Sequence, residues 1–368
     1  MDCQPIERAQ SYAKRERAFI DERIAPVEAQ HWKEIGEARH GGDWTQWKIP
    51  SRVEELKAQA KAEGLWNLFL PDAKLAPGLS VLEYAFSAEQ TGRSMMAPEI
   101  FNCNAPDTGN MEVLWKYGSD EQKAQWLTPL LNGEIRSVFF MTEPDVASSD
   151  ATNMAATAVV EGNEIVLNGK KWWSSGVGDP RCKIGIFMAA TPNAEAGRHG
   201  QHSMVLVPLD APGVEIKRML PVFGEYDEPH GHGEVHFTNV RLPLSNVIAG
   251  PGRGFEIAQG RLGPGRIHHC MRCIGAAEKS LELAIERGLK RVAFGKPIIN
   301  LGGNRERIAE CRLAIDQARL LTLQAAWKID NLGVMSALTD VSAIKVVAPS
   351  MLQQVVDFAI QKIGRGVV

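Results

Sequence analysis

Apolar positions along the chain change their period twice. Through the first third they recur at helical spacing. In VEELKAQAKAEGLWNLF, Leu56, Ala60 and Leu65 fall on one side, and DEQKAQWLTPLLNG is an amphipathic segment closed by Gly133. From about residue 136 to 245 the period drops to two. There ATAVVEGNEIVLNG reads as a hairpin punctuated by Gly162-Asn163, and KIGIFMAA, SMVLVPL and GEVHFTNVRLP read as further short strands separated by turns such as DAPG. After Gly254 helical spacing returns. Ala314, Ala318, Leu321, Ala325 and Ile329 form one stripe, and Leu281, Ile285, Leu289 and Val292 another. The pattern predicts helices over 1–135, a β domain over 136–245 and a helical bundle over 246–368. Alternating strand–helix units are absent, which argues against a Rossmann sheet.

The 368 residues carry 41 Lys+Arg against 44 Asp+Glu, a net charge of −3. That balance gives no global attraction to nucleic acid or to an anionic membrane. Apolar and charged fractions of 44% and 23% suit a folded globular chain and exclude wholesale disorder. No apolar run approaches the ~18 residues of a membrane span. The start, MDCQPIERAQSYAKRER, has no apolar signal core and carries early acids, so a cytoplasmic protein is expected.

Cys3, Cys103, Cys182, Cys270, Cys273 and Cys311 are too scattered for a disulfide framework and point to a reducing compartment. Cys270 and Cys273 form a CxxC, but within an apolar helical stretch. His268, His269 and Cys270 lack a second ligand pair at zinc spacing, so packing is expected of this cluster rather than redox or metal chemistry. PNAEAGRHGQH (192–202) reads as a mobile surface loop with solvated charges.

Four segments concentrate groups suited to chemistry. FFMTEPDVASSD (139–150) gathers hydroxyls, small residues and a proline-set turn, leaving backbone N–H groups to face a ligand; by itself it is also simply a polar loop. NGKKWWSSG (168–176) holds consecutive tryptophans, which a strand sends to opposite faces. One of them then meets a cleft, where its ring can stack on a flat ligand, unless two packed faces take both. In RVAFGKP (291–297), Arg291 and Phe294 stand three apart before a glycine that ends the preceding helix. They could address a phosphate and a flat ring, though a cation at a helix C-terminus is also ordinary capping. In GRLGPGRIHHCMR (260–272), Arg266 begins an apolar helix after a Gly/Pro loop, a place that attracts anions. GxGxxG, Walker, HExxH and GxSxG patterns are absent.

MTEP followed by SSD, then NGKKWW, then RxxFGKP, in this order and at these separations, resembles the acyl-CoA dehydrogenase family of flavoenzymes. PxxNVIAGPGRGFEIA (243–258) and AAWKID (325–330) add to the resemblance. RLGPGRIHHCMR and TEPDVASSDATN are most similar to the subfamily whose animal members carry an appended kinase-like domain, which is not found within these residues.

The resemblance implies an acyl-CoA dehydrogenase-like fold: an N-terminal all-α domain, a middle β-barrel-like domain and a C-terminal four-helix bundle. It implies FAD bound noncovalently between the β domain and the bundle, and clasped by a neighbouring subunit of a homodimer or homotetramer. Phe140, Met141, Thr142 and the loop to Ser149 would line the isoalloxazine, and Trp173, Ser174 and Ser175 would cover another edge, with Trp173 as the flat partner. Arg291 and Phe294 would reach a partner's FAD, and Gln361 would join the cofactor contacts. Arg266 would lie near the acyl-CoA. TEPDVASSD is one residue longer than the commoner TEPxxGSD, so either Ser148 or Ser149 would face the substrate.

The reaction so implied is α,β-dehydrogenation of an acyl-CoA thioester to the 2-enoyl-CoA, with electron-transfer flavoprotein as electron acceptor. Arg365 departs from the family, standing where a small residue is expected. The sequence stops at AIQKIGRGVV, about 40 residues before the family's usual end. The usual carboxylate base would lie beyond Val368, and Gly265 fills the alternative helix position. Slow flavin bleaching is therefore expected, with Glu143 and Asp150 satisfying backbone N–H groups in their turn. The competing readings are an acyl-CoA oxidase or flavin monooxygenase on the same fold, and a truncated, non-catalytic acyl-CoA-binding member.

Overall fold

Local capping chemistry sets the helix ends of the first zone. The computed structural model describes residues 4–37, 40–192 and 197–363; Cys3, Asn193–Ala196, Arg365 and Val368 lie outside them. Helix α1 (Glu7–Phe19) continues through a π-turn into α2 (Ala25–Glu37). There follow α3 (Ser51–Ala62), α4 (Val81–Thr91), α5 (Ala97–Ile100), α6 (Asp107–Tyr117), α7 (Asp120–Gln122) and α8 (Thr128–Asn132). At α4 the Ser80 side chain accepts the Glu83 N–H while Glu83 accepts the Ser80 N–H, and Ser119 with Gln122 repeats this box at α7. Gly133 closes α8 in the left-handed conformation, and Leu56, Ala60 and Leu65 are all buried, as their spacing predicts.

The β zone consists of β1 (Arg136–Phe140), β2 (Thr157–Glu161), β3 (Glu164–Ser175), β4 (Cys182–Ala190), β5 (His202–Pro208), β6 (Val214–Met219) and β7 (His232–Pro243). They form one sheet in the order β1-β4-β2-β3-β7-β6, with β5 also paired to β4. The predicted hairpin is present: Glu161 pairs with Glu164, and Gly162 takes the positive φ that its two-residue turn needs. Strand β6, VEIKRM, escapes the sequence reading because most of its side chains are partly or fully exposed. The sheet's core gathers Val138, Phe140, Ile165, Leu167, Phe187, Val205, Val235 and Phe237.

Beyond it come α9 (Gly254–Lys290), a hairpin of β8 (Val292–Ala293) and β9 (Lys296–Pro297), α10 (Asn304–Leu332) and α11 (Leu338–Ile363). The chain divides into two compact units. One comprises residues up to Glu28, Leu56–Cys103 and Gly263 onward; the other comprises Ala29–Glu55 and Asn104–Leu262.

In the helical unit α4 and α9 approach backbone to backbone. A Cβ on Gly275 would sit 1.8 Å from the Glu89 carbonyl oxygen, and one on Gly92 would sit 2.1 Å from that of Arg272. Nearby, Glu278 of α9 pairs with Arg312 at 2.6 Å and with Arg319, and Arg319 also reaches Glu89 at 3.0 Å. These pairs tie α4, α9 and α10 together. The buried stripe of α10 runs Cys311, Ile315, Ala318, Thr322, Ala325 and Ile329, so the predicted Ala314 and Leu321 are only half-buried. On α9, Leu281, Ala284 and Gly288 face inward, whereas Leu289 and Val292 are 57% and 62% exposed. Their predicted stripe fails because the inward face runs through 281, 284 and 288, which turns Leu289 outward, and because the helix stops at Lys290, before Val292.

Helix α11 corrects the reading of apolar runs, since Val334–Gln361 is long and apolar enough to cross a membrane by length and composition. Its stripe of Val341, Ile344, Ala348, Met351, Val355 and Phe358 is buried, and α11 packs along α10. Cys270 and Cys273 lie inside α9. Burial pushes the Cys270 thiol up to about 12 and raises that of Cys273, which disfavours the reactive thiolate and fits a packing role.

Glu16 of α1 is buried, and burial pushes its carboxyl up to about 8, against weaker opposition from Ser87 and Arg272. The native state therefore prefers the protonated form, whereas the unfolded chain ionises near the ordinary carboxylate value of about 4.3. Stability contributed by this preference is complete below that value and is lost as pH rises toward 8. Glu16→Gln is expected to flatten the decline in urea midpoint between pH 5 and 8. An unchanged slope would overturn the assignment.

Candidate functional site

Strand β1 delivers its chain into the loop 141–156, and β3 returns alongside it. The main chains meet where the Trp172 N–H donates to the Thr142 carbonyl at 3.0 Å. Beneath this meeting point lies a lysine that the sequence reading passed over. Lys171 is 0% exposed, and its Nζ donates to the Met141 carbonyl (3.0 Å), the Met188 carbonyl (2.6 Å) and Glu143 Oε1 (2.7 Å). Burial pulls its ammonium down to about 8, although the Glu143 charge opposes the shift.

Glu143 accepts the Ala155 N–H at 2.7 Å and the Ala156 N–H at 3.2 Å, and the Glu143 N–H donates to Ser148 Oγ at 2.8 Å. Both ends of the loop are thus pinned to one buried ion pair. Asp150 accepts the Thr152 N–H and hydroxyl at 2.9 and 2.7 Å, bonds that hold its carboxyl below the usual range. Both acids do what was expected of them in this turn. Arg198, expected as a solvated charge, bonds Asp150 and Thr152 at 2.9 Å each.

The expected flavin-lining residues divide accordingly. Phe140 is a correction. Its ring is fully buried, 5.0 Å from that of Phe237, in a place open only because residue 185 is glycine. Only its main chain is left to face a ligand. Met141 is half-buried and the Thr142 side chain exposed. Ser148 is buried and occupied by the Glu143 N–H, while Ser149 is exposed, which separates the two serines that spacing alone left open.

The tryptophan pair also departs from simple alternation. Along β3 the register moves from Lys171↔Val235 to Ser174↔Gly233, so the strand carries one residue more than its partner. This is a β-bulge. Trp173 stands in it with φ +49°, 42% exposed, and its ring centroid is 6.3 Å from that of Trp172. Ser174 is 1% exposed, and neither its Oγ nor Trp172 Nε1 has a hydrogen-bond partner among the described residues. A hydroxyl and an indole N–H left unpaired on a bulge whose Trp173 ring is exposed suit a flat, heteroatom-rich ring. The residues present therefore fit a flavin.

In the helical unit, Arg266 lies inside α9, which runs helical from Gly254, so the expected helix start after a Gly/Pro loop is corrected; its side chain is half-buried, and a Cβ on neighbouring Gly265 would meet nothing within 4 Å. Gln361 is exposed on the last described stretch of α11. RVAFGKP starts at the helix end, where the Arg291 N–H still donates to the Arg287 carbonyl at 2.9 Å, but α9 stops at Lys290 and Gly295 does not terminate it. Phe294 and Gly295, at φ +52° and +74°, form the turn between β8 and β9, and the Phe294 ring is 93% exposed beside an exposed Arg291. Phe223 and Gly224, at φ +52° and +88°, make a second turn of this kind with the Phe223 ring fully exposed.

Helical, β and helical segments in this order are the arrangement of an acyl-CoA dehydrogenase fold. Family profiles for the acyl-CoA dehydrogenase N-terminal, middle and C-terminal domains match residues 7–134, 138–240 and 252–367, and the chain belongs to that family. It sits with the subfamily whose animal members carry an appended kinase-like domain. FAD is the cofactor this membership brings.

The chain is 57% identical over 351 residues to acyl-CoA dehydrogenase family member 11 of Gallus gallus, covering 95% of this chain and 44% of that protein. It is 51% identical over 365 residues to FadE2 of Mycobacterium tuberculosis, named a probable acyl-CoA dehydrogenase, covering 99% and 88%. A solved Mycobacterium abscessus structure assigned to the acyl-CoA dehydrogenases superposes with a TM-score of 0.94 at 62% identity, covering 99% and 90%. The chain spans about half the length of the animal relatives it matches.

Proposed function

We propose that the chain is the acyl-CoA-oxidising module of an FAD-dependent acyl-CoA dehydrogenase, converting an acyl-CoA thioester to the 2-enoyl-CoA. It would work in a reducing, cytoplasmic setting, as a homodimer or homotetramer, with electron-transfer flavoprotein as acceptor. The observation that carries the reading is the unpaired, buried Ser174 hydroxyl on the bulge beside the pinned loop. FAD, when bound, supplies the two-electron acceptor for oxidation at the CH–CH bond.

The chain's own residues then do the holding. Trp173, Ser174 and Ser175 would cover one edge of the ring, with Trp173 as its flat partner, and the Lys171–Glu143 pair keeps the main chain of 141–143 fixed, so that little reorganisation accompanies binding. Ser149 offers an exposed hydroxyl from the same loop, and Arg266 offers a guanidinium to the anionic CoA. Arg291 and Phe294 project as contacts for a neighbouring subunit's cofactor, with Gln361 joining the cofactor contacts. Removing the α proton requires a carboxylate of raised pKa. Asp150 is held in the opposite direction and Glu143 is engaged with Lys171 and backbone donors, so neither is assigned that step.

Anaerobic titration of the flavin-loaded chain with a series of acyl-CoA thioesters tests the proposal. Slow loss of the oxidised-flavin band, with one 2-enoyl-CoA formed per flavin, is the expected result. No bleaching by any thioester overturns it. Arg266→Ala is expected to weaken CoA-thioester binding roughly ten- to a hundredfold, the value of a charge-assisted contact. Unchanged affinity by calorimetry would leave Arg266 a helix residue alone.

A further inference from the structure

We infer that His232 is a positioning residue for the bulge that carries Trp172, Trp173 and Ser174, an inference that rests on the flavin reading above. A bulge interrupts its own ladder. Trp172 turns its N–H away to the Thr142 carbonyl, and Trp173 takes a left-handed backbone conformation that an aromatic residue rarely adopts. Such a conformer persists only where its surroundings hold it.

On the near side Lys171 holds it, anchored to Glu143 and two carbonyls. On the far side the ladder resumes at Ser175↔His232, and there the side chains meet: Ser175 Oγ lies 2.8 Å from His232 Nδ1. The other ring nitrogen, Nε2, is 3.5 Å from Asp227 Oδ2. The imidazole centroid is also 6.1 Å from that of Trp173, with the rings inclined at 52°. One side chain from β7 therefore braces both the exposed tryptophan and the serine that follows Ser174. The bulge is clamped at each end, and Ser174 is aimed by the two clamps together.

Three variants of the full chain separate this role from a merely structural one. Asparagine reproduces the reach of Nδ1 toward Ser175, glutamine that of Nε2 toward Asp227. His232→Ala is expected to weaken FAD binding about five- to tenfold, the value of one hydrogen bond and a ring contact. It is also expected to shift the ¹⁹F resonance of Trp173 in 5-fluorotryptophan-labelled apoprotein, assigned with Trp173→Phe, while the urea midpoint stays near that of the parent. His232→Asn should restore the affinity, and His232→Gln should not.

An unmoved Trp173 resonance with unchanged FAD affinity in His232→Ala overturns the inference. So does a loss of affinity that His232→Asn shares and that tracks a fall in the urea midpoint. If the parent chain takes up no FAD, the flavin reading fails, and the Trp173 resonance of the apoprotein still decides whether His232 braces the bulge.

Discussion

Gly275→Ala is expected to destabilise the helical unit by about 3 kcal/mol or more, while Gly265→Ala, on the same helix, is expected to gain about 0.5–1 kcal/mol. The substitution is identical and so is its local benefit: a methyl removes backbone freedom from the unfolded chain and favours the helix. What differs is the neighbour. At Gly265 an added Cβ meets open space, whereas at Gly275 it lies 1.8 Å from the Glu89 carbonyl oxygen and 3.2 Å from the Gly92 Cα. Backbone cannot swing aside as a long side chain can, so α4 and α9 must separate by more than an ångström. That movement would loosen the Arg319 bridges to Glu89 and Glu278 as well. Urea unfolding followed by far-UV circular dichroism checks both variants. A shift of the same sign in the two would show that the helices are not held in backbone contact.

Lys171→Met is expected to cost about 3–5 kcal/mol, the range for removing one partner of a buried ion pair. Methionine fills similar volume, so packing alone predicts a small change; the loss comes from Glu143, left buried without its counter-charge. Two backbone donors from Ala155 and Ala156 would remain to it, too few to replace an ammonium. Adding Glu143→Gln to the variant should return a large part of the loss, because the two changes act on one interaction. A double variant no more stable than Lys171→Met would place the lysine's contribution elsewhere.

The zones, the Gly162-Asn163 hairpin and most of the strands were legible because period and turn chemistry are local. The bulge was not. Counting by two assumes an unbroken ladder, and nothing in KKWWSS marks where a residue is added. Lys171 itself carried a signal, since it shares the inward register of Ile165 and Leu167, and a lysine there implies a buried acid. RVAFGKP misled because a phenylalanine-glycine pair is a poor advertisement for a turn whose first position favours asparagine. On α10 the stripe slipped because alanines occupy both buried and half-buried positions, leaving the pattern with little contrast. The serines of TEPDVASSD were separated by a hydrogen bond that pairs Ser148 with the Glu143 N–H, which spacing does not encode.

The Phe294–Gly295 turn offers an unusual separation of causes. Asparagine accepts a left-handed backbone more readily than phenylalanine does, and a ring standing wholly in solvent supports no packing within its own chain. Replacing Phe294 by asparagine should therefore leave the isolated fold at ease, even slightly relieved. Under the proposed assembly, any defect that appears only on association can be charged to the missing ring itself, free of the usual confusion between a protein that has lost a contact and one that has lost its shape.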